Sequence, residues 1–142
     1  MMFRTVFRPA LLWAALSIIA CDDDSEADDA TAFPAPSTLV VGHTLEWKWD
    51  EGPFAGVSYR GVFRGDGSVT WLGLTGDDKG NGATEEQYGA RHITRDVVVV
   101  SWLEEIGYTV TLVLDFKSMR ARGIASNETE WYEAGGSFEV IE

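Results

Sequence analysis

Basic and thiol-bearing residues are scarce in this chain. Eleven lysines and arginines stand against 23 aspartates and glutamates, which gives the 142 residues a net charge of −12. A surface of that sign repels nucleic acid and anionic lipid headgroups, so neither is expected as a partner. The single cysteine, Cys21, excludes a disulfide within the chain, and the fold must stand on packing alone. Of the two histidines, His92 has only the distant His43 for company, which argues against a metal site. No serine-hydrolase motif and no glycine pattern for a phosphate or dinucleotide is present, so no cofactor is expected. No apolar run reaches the roughly 20 residues of a membrane-spanning helix.

What is there divides into three parts. Arg4 and Arg8 precede the short apolar run Ala10 to Ala20, and Cys21 follows Ile18, Ile19 and Ala20, so residues 1–20 read as a secretory signal. The sequence IIAC at its end resembles the lipobox of bacterial lipoproteins, which implies a lipidated Cys21 at the mature N-terminus. Residues 21–38 follow as a tether: six of the eight positions from Asp22 to Asp29 are acidic, and low hydrophobicity with repelling charge keeps such a segment extended. Loss of Arg4 and Arg8 with the signal leaves 9 basic and 23 acidic residues, a net charge of −14. The expected location is the bacterial cell envelope, with the domain in the periplasm or outside and the membrane contacted through the lipid anchor only.

Residues 39–142 are enough for one domain with its own core. Their rhythm has period two, broken every 8 to 12 residues by turns, and all fifteen glycines lie here. Leu45, Trp47 and Trp49 share one side of a first strand, Tyr59, Gly61 and Phe63 of a second, Val69, Trp71 and Gly73 of a third. Thr75 to Ala83 (TGDDKGNGA) reads as a long loop. It departs from a calcium loop, because counting from Asp77 the third and twelfth positions hold Lys79 and Tyr88. Glu85 to Thr94 reads as a fourth strand with Tyr88, Ala90 and His92 on one side. Met119 to Ala125 reads as a strand whose Ala121, Gly123 and Ala125 leave room for larger neighbours. Two short strands, Trp131 to Glu133 and Ser137 to Ile141, complete the chain.

Between them lies the most informative stretch, VVVVSWLEEIGYTVTLVLDF, Val97 to Phe116. Two runs of β-branched and aromatic residues flank one glycine-bearing turn, which predicts a hairpin. If Glu105, Ile106 and Gly107 form a three-residue loop, the glycine takes the left-handed position. Trp102 then faces Val110, Val100 faces Leu112, Val98 faces Leu114, and Glu104 closes the hairpin opposite Tyr108. A two-residue loop would move Glu104 to the other face. The pattern predicts an all-β fold, a single antiparallel up-and-down lipocalin-like (calycin-type) barrel of 8–9 strands, since closure removes exposed edges. A sandwich is the competing arrangement.

Trp47, Trp49, Tyr59, Trp71, Tyr88, Trp102 and Tyr108 fall on the apolar faces. Such rings either pack a small β core or line a ligand cavity, and both readings stand at this point. Glu104 is the candidate catalytic or anchoring residue. Beside Trp102 and Tyr108 its charged form is disfavoured, which suits a general acid or a hydrogen-bond donor. At the rim it would instead be hydrated or paired with an arginine.

The run VSWLEEIG followed by YTVTLVLDF is similar to the signature strand pair of the MoaF-like and phenolic acid decarboxylase families, which share a small lipocalin-type barrel. In the decarboxylases, the glutamate of this motif works in the cavity, and the matching residue is Glu104. Their two tyrosines on the first strand are matched by Trp47 and Trp49, and the region expected to supply their arginine, TGDDKGNGA, has none. Indole carries no hydroxyl to hold a carboxylate, so the resemblance implies the barrel rather than decarboxylation. It implies the MoaF-like branch more than the enzymes. The leading expectation is an exported, lipid-anchored barrel that binds a small apolar or aromatic molecule. The alternatives are a lyase or isomerase using Glu104 as general acid or base, and a filled barrel acting as an envelope interaction module.

Overall fold

A computed structural model describes residues 37–141; the segment read as a signal, Cys21 and the stretch read as a tether up to residue 36 lie outside the described residues. Nine strands make up its framework: β1 (Thr44–Glu51), β2 (Ser58–Phe63), β3 (Val69–Gly73), β4 (Gly82–Glu85), β5 (Tyr88–His92), β6 (Val97–Leu103), β7 (Thr109–Asp115), β8 (Arg120–Ser126) and β9 (Trp131–Val140). One 3-10 turn, Gly76–Asp78, interrupts the β3–β4 connection.

All pairings between the strands are antiparallel, in the order β4-β3-β2-β1-β9-β8-β7-β6-β5. The first strand pairs with the last, so the two sheet edges are β4 and β5, neighbours in the chain separated by Glu86 and Gln87. Across that seam the Tyr88 N–H donates to the Gly67 carbonyl at 2.9 Å and its hydroxyl to the Arg64 carbonyl at 3.0 Å. Two ties in place of a full ladder leave an up-and-down barrel that is nearly closed.

The β6–β7 hairpin has the register that its turn predicts. Val98 pairs with Leu114, Val100 with Leu112 and Trp102 with Val110. The Glu104 N–H donates to the Tyr108 carbonyl at 2.7 Å, and Gly107 closes the loop at φ +94°. Positive φ is open to glycine at no steric cost, which is why this turn settles the pairing.

Two stretches differ from the sequence expectation. The fourth predicted strand is two strands. The chain leaves the supposed loop early to pair Ala83 and Thr84 with Trp71 and Thr70, breaks at Glu86, and then begins the opposite sheet edge at Tyr88. A hydrogen bond of 2.7 Å between the Thr70 and Thr84 hydroxyls and the buried carboxylate of Glu85 hold β4 in place. The two short C-terminal strands are one, because Gly135 and Gly136 lie inside β9 and do not turn it. A Cβ at Gly136 would sit 2.0 Å from the Lys48 carbonyl oxygen, beside a register shift between Trp49 and Glu51. Over Gly135 the Arg122–Glu51 ion pair passes from β8 to β1. Glycine here serves close approach, not a turn.

The interior has two halves. Leu45, Phe63, Val69, Val98, Val100 and Leu114, all essentially inaccessible, fill one end. Each such side chain contributes about 1.5–3 kcal/mol of burial. The turn ahead of β1 plugs that end: Val40 is fully buried, and the Gly42 N–H donates to the Phe63 carbonyl at 2.7 Å. Ser37, within the stretch read as tether, is buried, and its hydroxyl lies 2.9 Å from His92 Nε2. The opposite ring nitrogen lies 3.1 Å from the Thr94 carbonyl, which can only accept, so Nδ1 donates to it. His92 is thus a fastener for the plug.

Candidate ligand cavity

The same strands run from the packed end into an open one. Along β1 the inward series passes from Leu45 to Trp47 and Trp49; along β6, from Val98 to Trp102; along β2, in the other direction, from Phe63 to Tyr59. The larger, polar-tipped rings therefore gather at one end and enclose a cavity of about 450 Å³. This lies within the range of about 300–1,000 Å³ usual for small-molecule sites.

Six of the seven aromatic residues singled out in the sequence stand on its wall: Trp47, Trp49, Tyr59, Trp71, Trp102 and Tyr108. Trp47 stacks on Tyr59 with ring centroids 5.8 Å apart and planes 19° from parallel, and Trp102 lies tilted 6.5 Å from Trp47. Trp49 finds its room over Gly123, as the small residues of β8 suggest. Tyr88 is the exception. Its ring packs edge-on against Phe63 at 5.2 Å and its hydroxyl closes the seam, so it takes no part in the wall.

Glu104 reaches the cavity from the hairpin turn. Burial pushes its carboxyl up from 4.5 to about 7; the Trp102 indole N–H opposes the shift, while the charges of Glu85 and Asp78 add to it. Trp102 Nε1 is, among the described residues, the buried side-chain polar atom without a hydrogen-bond partner. Its influence on Glu104 is therefore that of a nearby dipole and not of a completed bond.

Several wall residues escaped the sequence reading. Asp78, at the end of the 3-10 turn, accepts a 2.5 Å hydrogen bond from the Tyr59 hydroxyl. Burial and that bond hold the Tyr59 phenol well above its ordinary value of 10, with a smaller push from Glu104. Behind Trp71, its indole N–H donates to the buried Glu85 carboxylate at 3.1 Å. At the mouth, Tyr108 and Tyr132 both donate to Glu130 Oε2, at 2.8 and 3.0 Å, and Phe54 meets Tyr132 edge-on. The bond to Glu130 is the main reason the Tyr108 phenol is pushed up to about 12. Tyr132 and Ala134 alternate on β9, a signal available in the sequence once β9 is seen as continuous. Asp78 carries no such signal, since its position depends on a turn that periodicity does not describe.

The wall thus combines indole faces, three phenols and two carboxylates, and among the described residues no lysine, arginine or histidine lines it. Among the described residues no group of three or more histidine, cysteine or acidic side chains is placed to hold a metal ion.

The MoaF-like family model matches residues 44–139, β1 through β9. The chain belongs to the MoaF-like family. A solved structure similar to this MoaF-like barrel is that of a Burkholderia vietnamiensis protein provisionally designated a beta-lactamase, with a TM-score of 0.65 and 18% identity over 75% of this chain and 98% of that one. At that identity the likeness is one of fold. No curated protein matches the MoaF-like chain.

Proposed function

We propose that the MoaF-like barrel is a binding protein for a small apolar or aromatic molecule, held in the open half of its interior and carried at the cell envelope on a lipidated Cys21. The observation behind this reading is the cavity of about 450 Å³ walled by four tryptophans. Packing one end of the barrel densely while leaving rings with polar tips around an empty volume at the other is the economy of a receptor site. Glu104 and Tyr108 are its polar anchors. The envelope location rests on residues 1–21 and the tether, as read from the sequence.

A second reading follows from one group. A carboxyl with a pKa of about 7 exchanges protons readily at neutral pH, which suits Glu104 as general acid or base of a lyase or isomerase. The beta-lactamase designation of the Burkholderia protein finds no counterpart here. The chain contains no S-x-x-K sequence, and among the described residues no serine lines the cavity.

The test is native mass spectrometry of the full protein purified from its own envelope, followed by displacement titrations read by tryptophan fluorescence. A stoichiometric small-molecule adduct whose removal changes the fluorescence supports the carrier. An apo mass together with unchanged fluorescence across a library of aromatic compounds refutes it. Chemical conversion of a bound compound, abolished in Glu104→Gln, would favour the enzyme.

A further inference from the structure

We infer that the ligand class of this cavity is organic cations, an ammonium group attached to an apolar or aromatic body, and that Asp78 and Glu104 receive the charge while Trp47, Trp71 and Trp102 receive the rest. The inference rests on the carrier reading and specifies its ligand.

Three observations converge. The first is the sign of the wall. Asp78 and Glu104 both face the cavity, Glu85 sits directly behind Trp71, and Glu130 underlies the two tyrosines of the mouth. Among the described residues no basic side chain on the wall offsets them. A carboxylate or phosphate ligand would enter a negative field with no cation to meet it, so acidic compounds are selected against.

The second is the chemistry of the rings. Indole and phenol faces carry negative potential, and a cation within about 6 Å of a ring centroid is attracted to it, most strongly by tryptophan. Trp47 and Tyr59 stack on each other, Trp102 is tilted against Trp47, and all three rings line the cavity together with Trp71. Aromatic walls with flanking carboxylates are what a desolvated ammonium group requires, because they replace its hydration shell without demanding a single bond direction.

The third is the way the carboxylates are held. The Tyr59 hydroxyl fixes Asp78 at 2.5 Å, leaving further acceptor capacity on the carboxylate. Glu104 stands close to neutrality while the cavity lacks a positive charge. The groups that face it are Asp78 from the 3-10 turn, Glu85 from β4, the Tyr59 phenol from β2 and the Trp102 N–H from β6, none of them cationic. An arriving ammonium supplies the missing opposite charge, stabilises the Glu104 anion and expels its proton. Affinity for a cation should therefore rise with pH between about 6 and 8, accompanied by proton release.

Three probes of one shape separate the claims: 2-phenylethylammonium, 2-phenylethanol and 3-phenylpropanoate, titrated against the full protein by calorimetry at pH 8. The ammonium is expected to bind about tenfold or more tightly than the alcohol, and the carboxylate most weakly of all. Repeated at about pH 7, where Glu104 still holds much of its proton, calorimetry in buffers of different ionisation enthalpy should register proton release with the ammonium alone. Asp78→Asn and Glu104→Gln should each weaken the ammonium severalfold and leave the alcohol within twofold, a pattern that a misfolded variant cannot give. Equal binding of the three probes, or preference for the carboxylate, overturns the cation inference while the carrier survives. Failure of all three to bind, with the protein shown folded by near-ultraviolet circular dichroism, overturns both.

Discussion

The lack of room over Gly123 in the cavity wall gives a sharp test of how the barrel is packed. A Cβ placed on Gly123 would lie 2.7 Å from Trp49 Cη2, 3.0 Å from its Cζ2 and 3.2 Å from Leu112 Cδ2. Ordinary carbon contacts are about 3.5–4.0 Å, so the added methyl overlaps a rigid indole that is only 5% exposed. Trp49 has no soft end to yield; either it or β8 must shift. Overpacking of this kind costs about 1–3 kcal/mol, and the reduced freedom of alanine in the unfolded chain returns about 0.4–1 kcal/mol. Gly123→Ala should then lose roughly 0.5–2 kcal/mol, a drop of several degrees in Tm for a domain of about this size. Urea unfolding followed by tryptophan fluorescence measures it. Trp49→Phe, which removes the ring atoms involved, should cost less in the Gly123→Ala background than in the parent, with a coupling of about 0.5–3 kcal/mol. Full stability in Gly123→Ala, or strict additivity of the two changes, would refute the packing of Trp49 onto β8.

Other outcomes follow from single groups. Glu104 has a folded pKa above its unfolded one, so its contribution is complete below about 4.5 and is lost as pH rises through about 7. Glu104→Gln should flatten stability against pH across that window and be the more stable protein at pH 8, by no more than about 1–2 kcal/mol because the carboxyl is partly solvated; an unchanged profile in urea titrations would contradict the burial. Trp71→Phe removes the donor to the buried Glu85 carboxylate and should destabilise by about 1–3 kcal/mol in the same assay, whereas a neutral result would mean Glu85 has another partner. Ser37→Ala should cost about 0.5–1.5 kcal/mol and speed amide exchange at Val40, Val41 and Gly42 while β6 and β7 stay protected; uniform protection would show that the plug does not depend on the His92 fastener.

The parts of this molecule that a reader of the sequence can see are those fixed by short-range repetition. The β6–β7 register follows from one glycine and an alternation of period two, and the same alternation brings Trp47, Trp49, Tyr59, Trp71 and Trp102 to the interior. Position along the strand is a different matter. Nothing in the period tells Tyr88, which packs on Phe63 and closes the seam, from Tyr59, which faces the cavity. Glycine misleads where it serves a neighbour: Gly135 and Gly136 resemble a turn because the Arg122 and Glu51 side chains and the Lys48 backbone, which require them, arrive from other strands. Asp78 and Glu85 enter the site through a loop and an early strand whose pairing partners lie about a dozen residues back, and no local pattern announces them.

The seam between β4 and β5 gives the barrel a mechanical character that a continuous cylinder would lack. A tube slit along its length keeps its resistance to crushing yet yields readily in girth, because its circumference can change without any ladder being broken. Here the slit is tied at Tyr88, whose ring packs on Phe63, while the wall beside it carries Trp71 into the cavity. Any widening of the mouth would therefore fall on this slit, where β4 and β5 share no ladder that has to break.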